Sequence, residues 1–276
     1  MSHEIRTPLF GIVGNISLIR DTAVTRAQSD FINNIEGSTK LMMAVIQDIM
    51  DFSHIEAGKL RISNNPFSLN RTLALCRGMV EQAAKRKGLD FFMTHLESRV
   101  NAIGDCMRIL QVLNNLASNA IKFTDRGTVK ISLLHTVDEA TLSIKIIVSD
   151  TGIGFSPDMH ACIFSPWVQA NDTNRRRYGG SGLGLAISKA ILDLMGGTIT
   201  AQSEVGVGSN FTVNLKLPYL SPDFDLSPYR PKPESITSEM KFDAYPKPST
   251  SSISSWQIIP PSTNPSFVDS LPRWAT

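Results

Sequence analysis

Cysteine is scarce: 276 residues hold three, Cys76, Cys106 and Cys162, at wide and unrelated spacings. An odd count without a spacing motif argues against a disulfide framework or a zinc site, and it fits a reducing compartment. No apolar run approaches the ~20 residues of a membrane helix. The opening Met1-Ser2-His3-Glu4-Ile5-Arg6 is too polar for a secretory signal, so the cytoplasm is the expected location. Excess charge is missing too. Lys and Arg number 27 against 25 Asp and Glu, a formal net charge of +2. No broad basic field argues for nucleic acid as a partner, although Arg175-Arg176-Arg177 is a local run able to meet phosphates. Neither a GxxxxGKS nor a GxxxxGKT run occurs, which excludes a P-loop, and there are no internal repeats.

What is present begins with helical periodicity. Ile5, Leu9, Ile12, Ile16 and Ile19 recur at alternating spacings of four and three, the pattern of an amphipathic helix. Asp21-Thr22 breaks it with turn formers. Phe31, Ile35, Met42, Val45, Ile49 and Phe52 then follow one heptad seam, with Ser38 its polar member. Leu41, Ile46, Met50 and Ile55 widen that stripe beyond what two helices can cover, so the hairpin is expected to pair with a second copy as a four-helix bundle. The second helix should stop near Ala57-Gly58.

From Phe67 to Pro218 the pattern is mixed. Helices are expected around 71–87, 106–121 and 182–195, the last closed by Gly196-Gly197. Strands are expected at 129–134, 142–148, 199–203 and 209–217, where β-branched residues alternate with polar ones. One sheet under a helical layer is the economical arrangement. Counting from Pro218, 11 of the 15 prolines lie in the last stretch of chain, among serines. Residues 219–276 are therefore expected to be disordered.

Chemistry concentrates in five blocks. His3 lies roughly 160° around its helix from the Ile5–Ile19 stripe, so it should face solvent, where a phosphoryl acceptor is accessible to a second domain. Glu4 beside it can hold the other ring nitrogen or take its proton, and Thr7 falls on the same face one turn later. Pro8 cannot donate to the carbonyl of Glu4, and a bend is expected there. Asn115 and Asn119, four apart on one helix, offer amide oxygens suited to Mg²⁺, and Lys122 can reach a phosphate one turn on. Gly180-Ser181-Gly182-Leu183-Gly184-Leu185 opens a helix, where unpaired N–H groups and the positive helix end make a phosphate site. It follows no strand and Leu185 stands in place of a third glycine, so it is no Rossmann fingerprint.

Together these blocks resemble the histidine kinases. Ser2-His3-Glu4-Ile5-Arg6-Thr7-Pro8-Leu9 resembles the H-box, and Asn114-Asn115-Leu116-Ala117-Ser118-Asn119-Ala120-Ile121-Lys122-Phe123-Thr124 the N-box. Asp150-Thr151-Gly152-Ile153-Gly154 is similar to the first glycine box, Phe164-Ser165-Pro166-Trp167 to the phenylalanine box, and the Gly180 stretch to the second glycine box. The order is the family's own, and the resemblance covers about four-fifths of the chain.

The resemblance implies an α+β protein: a dimerisation and phosphoacceptor hairpin (1–60), an α/β sandwich of the fold shared with gyrase, heat-shock chaperone and mismatch-repair ATPases (67–218), and a disordered tail. It implies ATP and Mg²⁺ as cofactors, with Asn115 and Asn119 at the metal. Asp150 would read the adenine amino group, with Gly152 and Gly154 letting backbone approach the base. Phe164, Arg176 and Tyr178 would belong to a lid over 156–179, and Gly180, Gly182, Leu183 and Gly184 would hold phosphates. The implied reaction is transfer of the γ-phosphate to His3, for relay to a receiver-domain aspartate in another protein. One alternative is a degenerate module that binds nucleotide without phosphorylating itself. A second is an ATP-hydrolysing relative, against which the H-box argues, as does Asn115 standing where those hydrolases are expected to carry a catalytic Glu. Family members carry more helix before the H-box, and the chain lacks sensor and receiver domains, so it reads as a fragment or a truncated paralogue.

Overall fold

In a computed structural model of the chain, residues 2–168 and 181–229 are described; for Ser2, His3 and Arg6 only the backbone is. Residues 169–179 of the expected lid, Arg176 and Tyr178 among them, Gly180 and residues 230–276 lie outside the described residues.

The chain opens with two long helices, α1 (Ser2–Arg20) and α2 (Arg26–Glu56). Thr25 starts α2 with a capping box: its hydroxyl accepts from the Gln28 N–H while the Gln28 side chain accepts from the Thr25 N–H. That satisfies two donors the first turn would otherwise leave open. The expected turn at Asp21-Thr22 is present, α2 ends at Ala57, and Gly58 follows at φ +62°. Helix α1 runs unbroken through Pro8.

The two helices cover less of each other than the sequence stripe promised. Leu9, Val13, Ile16 and Ile32 are buried, whereas Ile5, Ile12 (43 % exposed), Ile19, Phe31, Ile35 and Met42 stay open. The contact face of α1 is thus rotated from the Ile5–Ile12–Ile19 line, and that line forms a second apolar face.

After the hairpin come β1 (Asn65–Ser68), α3 (Leu69–Lys87), β2 (Asp90–Met93), β3 (Asn101–Gly104), α4 (Cys106–Phe123), β4 (Thr128–Asp138), β5 (Thr141–Asp150), α5 (Pro157–His160), α6 (Gly184–Leu194), β6 (Thr198–Glu204) and β7 (Gly208–Leu220), with a 3-10 turn at Ser227–Tyr229. The strands form one sheet in the order β1-β3-β7-β5-β4-β2. Long β7 pairs along one edge with β5, and along the other with β6 and then, at Tyr219 and Leu220, with β3. Every pairing is antiparallel except β2 with β4.

Alternation decides the two faces of the sheet. Leu142, Ile144, Ile146 and Val148 of β5 and Phe211, Val213, Leu215 and Leu217 of β7 point inward, under α3, α4 and α6. Lys130, Lys145 and Lys216 occupy the other parity and are exposed. Helix α4 puts Leu113, Leu116, Ala117 and Ala120 into this core. Each fully buried Leu contributes roughly 1.5–3 kcal/mol, so the helix is anchored in register with its polar Asn face turned aside.

The sequence missed β1, β2 and β3. Each is four residues long, too short for alternation to register, and β1 holds Pro66, which an edge strand tolerates. Chain order also continues past the expected start of the tail. Strand β7 reaches Leu220, and the Asn101 side-chain amide donates to the carbonyls of Ser221 and Pro222 at 3.0 and 3.3 Å. The Phe224 and Tyr229 rings then lie tilted against each other, centroids 6.2 Å apart.

Candidate active site

The C-terminal half of α4 meets two elements: the start of α6 at Asn115 and the end of β5 at Phe123. Asn115 is fixed by α6. Its Nδ2 donates to Ser188 Oγ at 2.8 Å, and a Cβ added at Gly184 would fall 2.3 Å from its Oδ1. Glycine at 184 is therefore the condition for α6 to start against the Asn115 amide. Asn119, one turn further along α4, is half-buried. Lys122 follows, its ammonium 4.7 Å above the Phe123 ring, and burial lowers its pKa.

Asp150 ends β5 with its carboxylate turned back toward the glycines. The Gly152 N–H donates to its Oδ1 at 2.9 Å. Burial holds the Asp150 carboxyl above the ordinary range, and bonds from Gly152 and Ser209 pull the other way. Gly152 lies so close to α4 that a Cβ there would fall 2.4 Å from the Phe123 carbonyl. Gly154 has φ +61° and would clash with the Glu204 carbonyl if substituted. These two glycines weld the end of β5 to α4 and to the β6–β7 turn, and so fix Asp150.

Phe164 packs edge-on against Phe211 at 6.5 Å, which seats it as an anchor on the sheet. Gly182 adopts φ +72°, which only glycine takes cheaply, and α6 starts directly after it. Leu183 is fully buried. Its side chain is core, so only its backbone can serve a phosphate. Arg176, Tyr178 and Gly180 lie outside the described residues.

The acceptor side is simpler. His3 sits in the first turn of α1, and Glu4 and Thr7 are exposed. Cavities of about 460 and 1170 Å³ open elsewhere, on the outer sheet face and beside β1. Sequence reasoning missed the residues joining hairpin to sandwich: Asp48 and Asp51 on α2, Arg108 and Gln111 on α4, and Ser181 in the glycine loop. The available signal was two carboxylates three apart inside an apolar stripe.

Residues 104–219 match the family model described as histidine kinase-, DNA gyrase B-, and HSP90-like ATPase, and residues 1–58 match the His Kinase A (phospho-acceptor) domain. The chain carries the catalytic core of a histidine kinase. Sensor histidine kinase GacS of Pseudomonas protegens is 39% identical over 233 residues, which is 84% of this chain and 25% of that protein. Signal transduction histidine-protein kinase BarA of Escherichia coli K12 is 38% identical over 220 residues, 79% of this chain and 24% of that protein. The kinase core thus spans about a quarter of the length of these relatives. Full-length ShkA in complex with AMPPNP has a similar structure, with TM-score 0.64 and 29% identity over 80% of this chain and 46% of that one. The helical region followed by a sheet under helices is the fold expected from the sequence. Among the described residues no helix is long and apolar enough to cross a membrane.

Among the described residues no three His, Cys, Asp or Glu side chains cluster as a metal cage. Two amide oxygens one turn apart fit a cation held mainly by nucleotide phosphates and water, as Mg²⁺ is in such sites.

Proposed function

We propose that the chain is a protein-histidine kinase core that uses Mg·ATP to phosphorylate His3, for relay to a receiver-domain aspartate in another protein. The observation that supports this reading is that α4 meets the start of α6 at Asn115 and, two turns on, meets Gly152 beside Asp150 at the Phe123 carbonyl, in a sandwich bonded to the hairpin that bears His3. The working units are 1–60 and 67–218, and the cytoplasm is the proposed location.

Each residue has a stated task. Asp150, held rigid by Gly152, accepts from the adenine amino group. The N–H groups opening α6 bind phosphate oxygens. Asn119 and Asn115 would hold Mg²⁺, which when bound offsets phosphate charge. Lys122 faces the phosphates, and Arg176 and Tyr178 complete the lid. A neutral ring nitrogen of His3 attacks the γ-phosphorus in line. The N–P bond forms as the bond to the β,γ-bridging oxygen breaks, and that oxygen leaves on ADP with the electron pair. The ring proton passes to Glu4 or water, and Thr7 flanks the same face. Catalysis is mostly positioning and charge neutralisation.

The second apolar face of the hairpin, with Ile5, Ile12, Ile19, Phe31, Ile35 and Met42 exposed, supports a homodimer. The test is incubation with γ-labelled ATP and Mg²⁺. Label that is acid-labile, base-stable and lost in His3→Gln is expected. Phosphate release without bound label would indicate a hydrolase, and nucleotide binding with neither would indicate a degenerate module.

A further inference from the structure

The hairpin and the sandwich meet through one face of α2. Asp51 is the buried centre of that contact, with its side chain 4% exposed. It accepts from Arg108 Nη1 at 3.4 Å, from Gln111 Nε2 at 2.7 Å and from Gln47 Nε2 at 3.3 Å. Its charge is thereby matched by a guanidinium. One turn earlier on the same face, Asp48 accepts from Ser181 Oγ at 2.6 Å. Burial raises the pKa of Asp48, the Ser181 hydroxyl lowers it, and the Asp51 carboxylate raises it further.

Ser181 is the hydroxyl of the glycine loop. It also accepts from the Leu183 N–H at 3.2 Å, inside the turn that opens α6. A second tie lies beside it. The Phe52 ring meets Trp167 edge-on at 6.0 Å, and the Trp167 N–H donates to the Gly182 carbonyl at 3.1 Å. Trp167 holds φ +64°, a conformation that costs a non-glycine residue and persists only where neighbours enforce it. Both contacts therefore seize the loop that would receive phosphates.

The contact also lies at the height of the acceptor. Arg20 donates to Asn33 and Glu36 across the antiparallel pair. His3 lies about 25 Å down α1 from Arg20, and the same descent along α2 ends within about two turns of Asp48.

We propose that Asp48 competes by charge with the terminal phosphate of the nucleotide for the glycine loop, so that ATP loading and release of the sandwich from α2 are one coupled equilibrium. The proposal rests on the reading of that loop as the phosphate site. A carboxylate bonded to the loop hydroxyl lies beside the ground where a triphosphate places its anionic oxygens, and like charges at this range repel. Linkage then requires reciprocity: by whatever factor docking weakens ATP binding, ATP weakens docking.

The experiment is calorimetry with a non-hydrolysable ATP analogue and with ADP, in Mg²⁺, on the full chain and on Asp48→Asn, Ser181→Ala and Asp150→Asn. Asp48→Asn keeps the size of the side chain and removes the charge. It should tighten the analogue about tenfold, within the usual range of coupling between sites, and tighten ADP less. Fluorophores at exposed Ser53 and Lys189 should move apart when the analogue binds to the otherwise wild-type chain, and should start further apart in Ser181→Ala. An unchanged analogue affinity in Asp48→Asn, or equal tightening of analogue and ADP, overturns the proposal. If Asp48→Asn does not fold, the Ser181→Ala separation decides, and an unchanged distance overturns it. Binding that depends on Asp150 but ignores Asp48 sinks the latch alone. Binding indifferent to Asp150 sinks the nucleotide-site reading and the latch with it.

Discussion

The hairpin and the sandwich solve the burial problem differently. In the sandwich, three helices and a sheet close over a continuous core from Phe67 to Leu217, with Leu69, Leu113, Leu116, Ile131, Leu142 and Ile191 fully buried. In the hairpin, Leu9, Val13, Ile16 and Ile32 are the buried hydrophobics, and more apolar surface faces out than in. The sandwich is complete within one chain. The hairpin borrows: Phe52 and Ile55 at its lower end lean on the core of the sandwich, while its upper faces stay open, the surface proposed to pair with a second copy. If that pairing forms, the stability of the hairpin depends on protein concentration, whereas that of the sandwich does not.

Core truncation should separate the two regions most sharply. Leu116→Ala in α4 should cost the sandwich about 2–5 kcal/mol, read as a lower urea midpoint at every protein concentration. Loss confined to dilute samples would show that the sandwich too leans on a partner.

On the hairpin the expected signature is the reverse. Phe31→Ala with Ile35→Ala removes two exposed side chains. Unfolding at low concentration should barely change, while the dimer constant measured by sedimentation should weaken by about 100-fold or more, since two large side chains at roughly 1.5–3 kcal/mol of lost burial each sum to about 3–6 kcal/mol. Unaltered sedimentation would leave that face without its proposed partner.

The proposed nucleotide contacts lie on the sandwich, and the hairpin acts on them only through the Asp48 contact. Asp150→Asn should lose about 1.5–3 kcal/mol of a charge-assisted bond, while His3→Gln keeps full affinity in calorimetry. Because burial raises the Asp150 pKa, protonation sets in above the ordinary carboxylate range. ATP affinity should therefore fall as pH drops through that raised value and recover above it, a dependence absent in Asp150→Asn. A flat profile in the wild-type chain would remove Asp150 from the base.

The smallest effect concerns local helix chemistry. Thr25→Ala deletes the capping box of α2 and should cost about 1 kcal/mol, visible as reduced helicity on heating. The sandwich transition should stay in place; if both transitions shift together, the two regions unfold as one unit.

The elements legible in the sequence were those with long repeats. Helices α1 to α4 and α6 and strands β4 to β7 carry enough turns or alternations to announce themselves. So do the chemical blocks, since Asn115 and Asn119 must share a helix face whatever the fold, and Gly184 must open a helix. Three four-residue strands carried too little pattern, and their pairing comes from neighbours brought in over long chain separations. Which apolar face of α1 turns inward was equally hidden, because Ile5 and Leu9 look alike to periodicity.

By itself, then, the amino-acid sequence determined on which local element each candidate residue sits, because helical and strand repeats are short-range properties of the backbone. Only the tertiary structure decided what those residues touch. Asn115 meets Gly184 and Ser188, and Asp48 meets Ser181 across 133 positions of chain. Such contacts are set by how helices pack over a sheet, and no local pattern encodes the distance between two side chains that meet only after the core has closed.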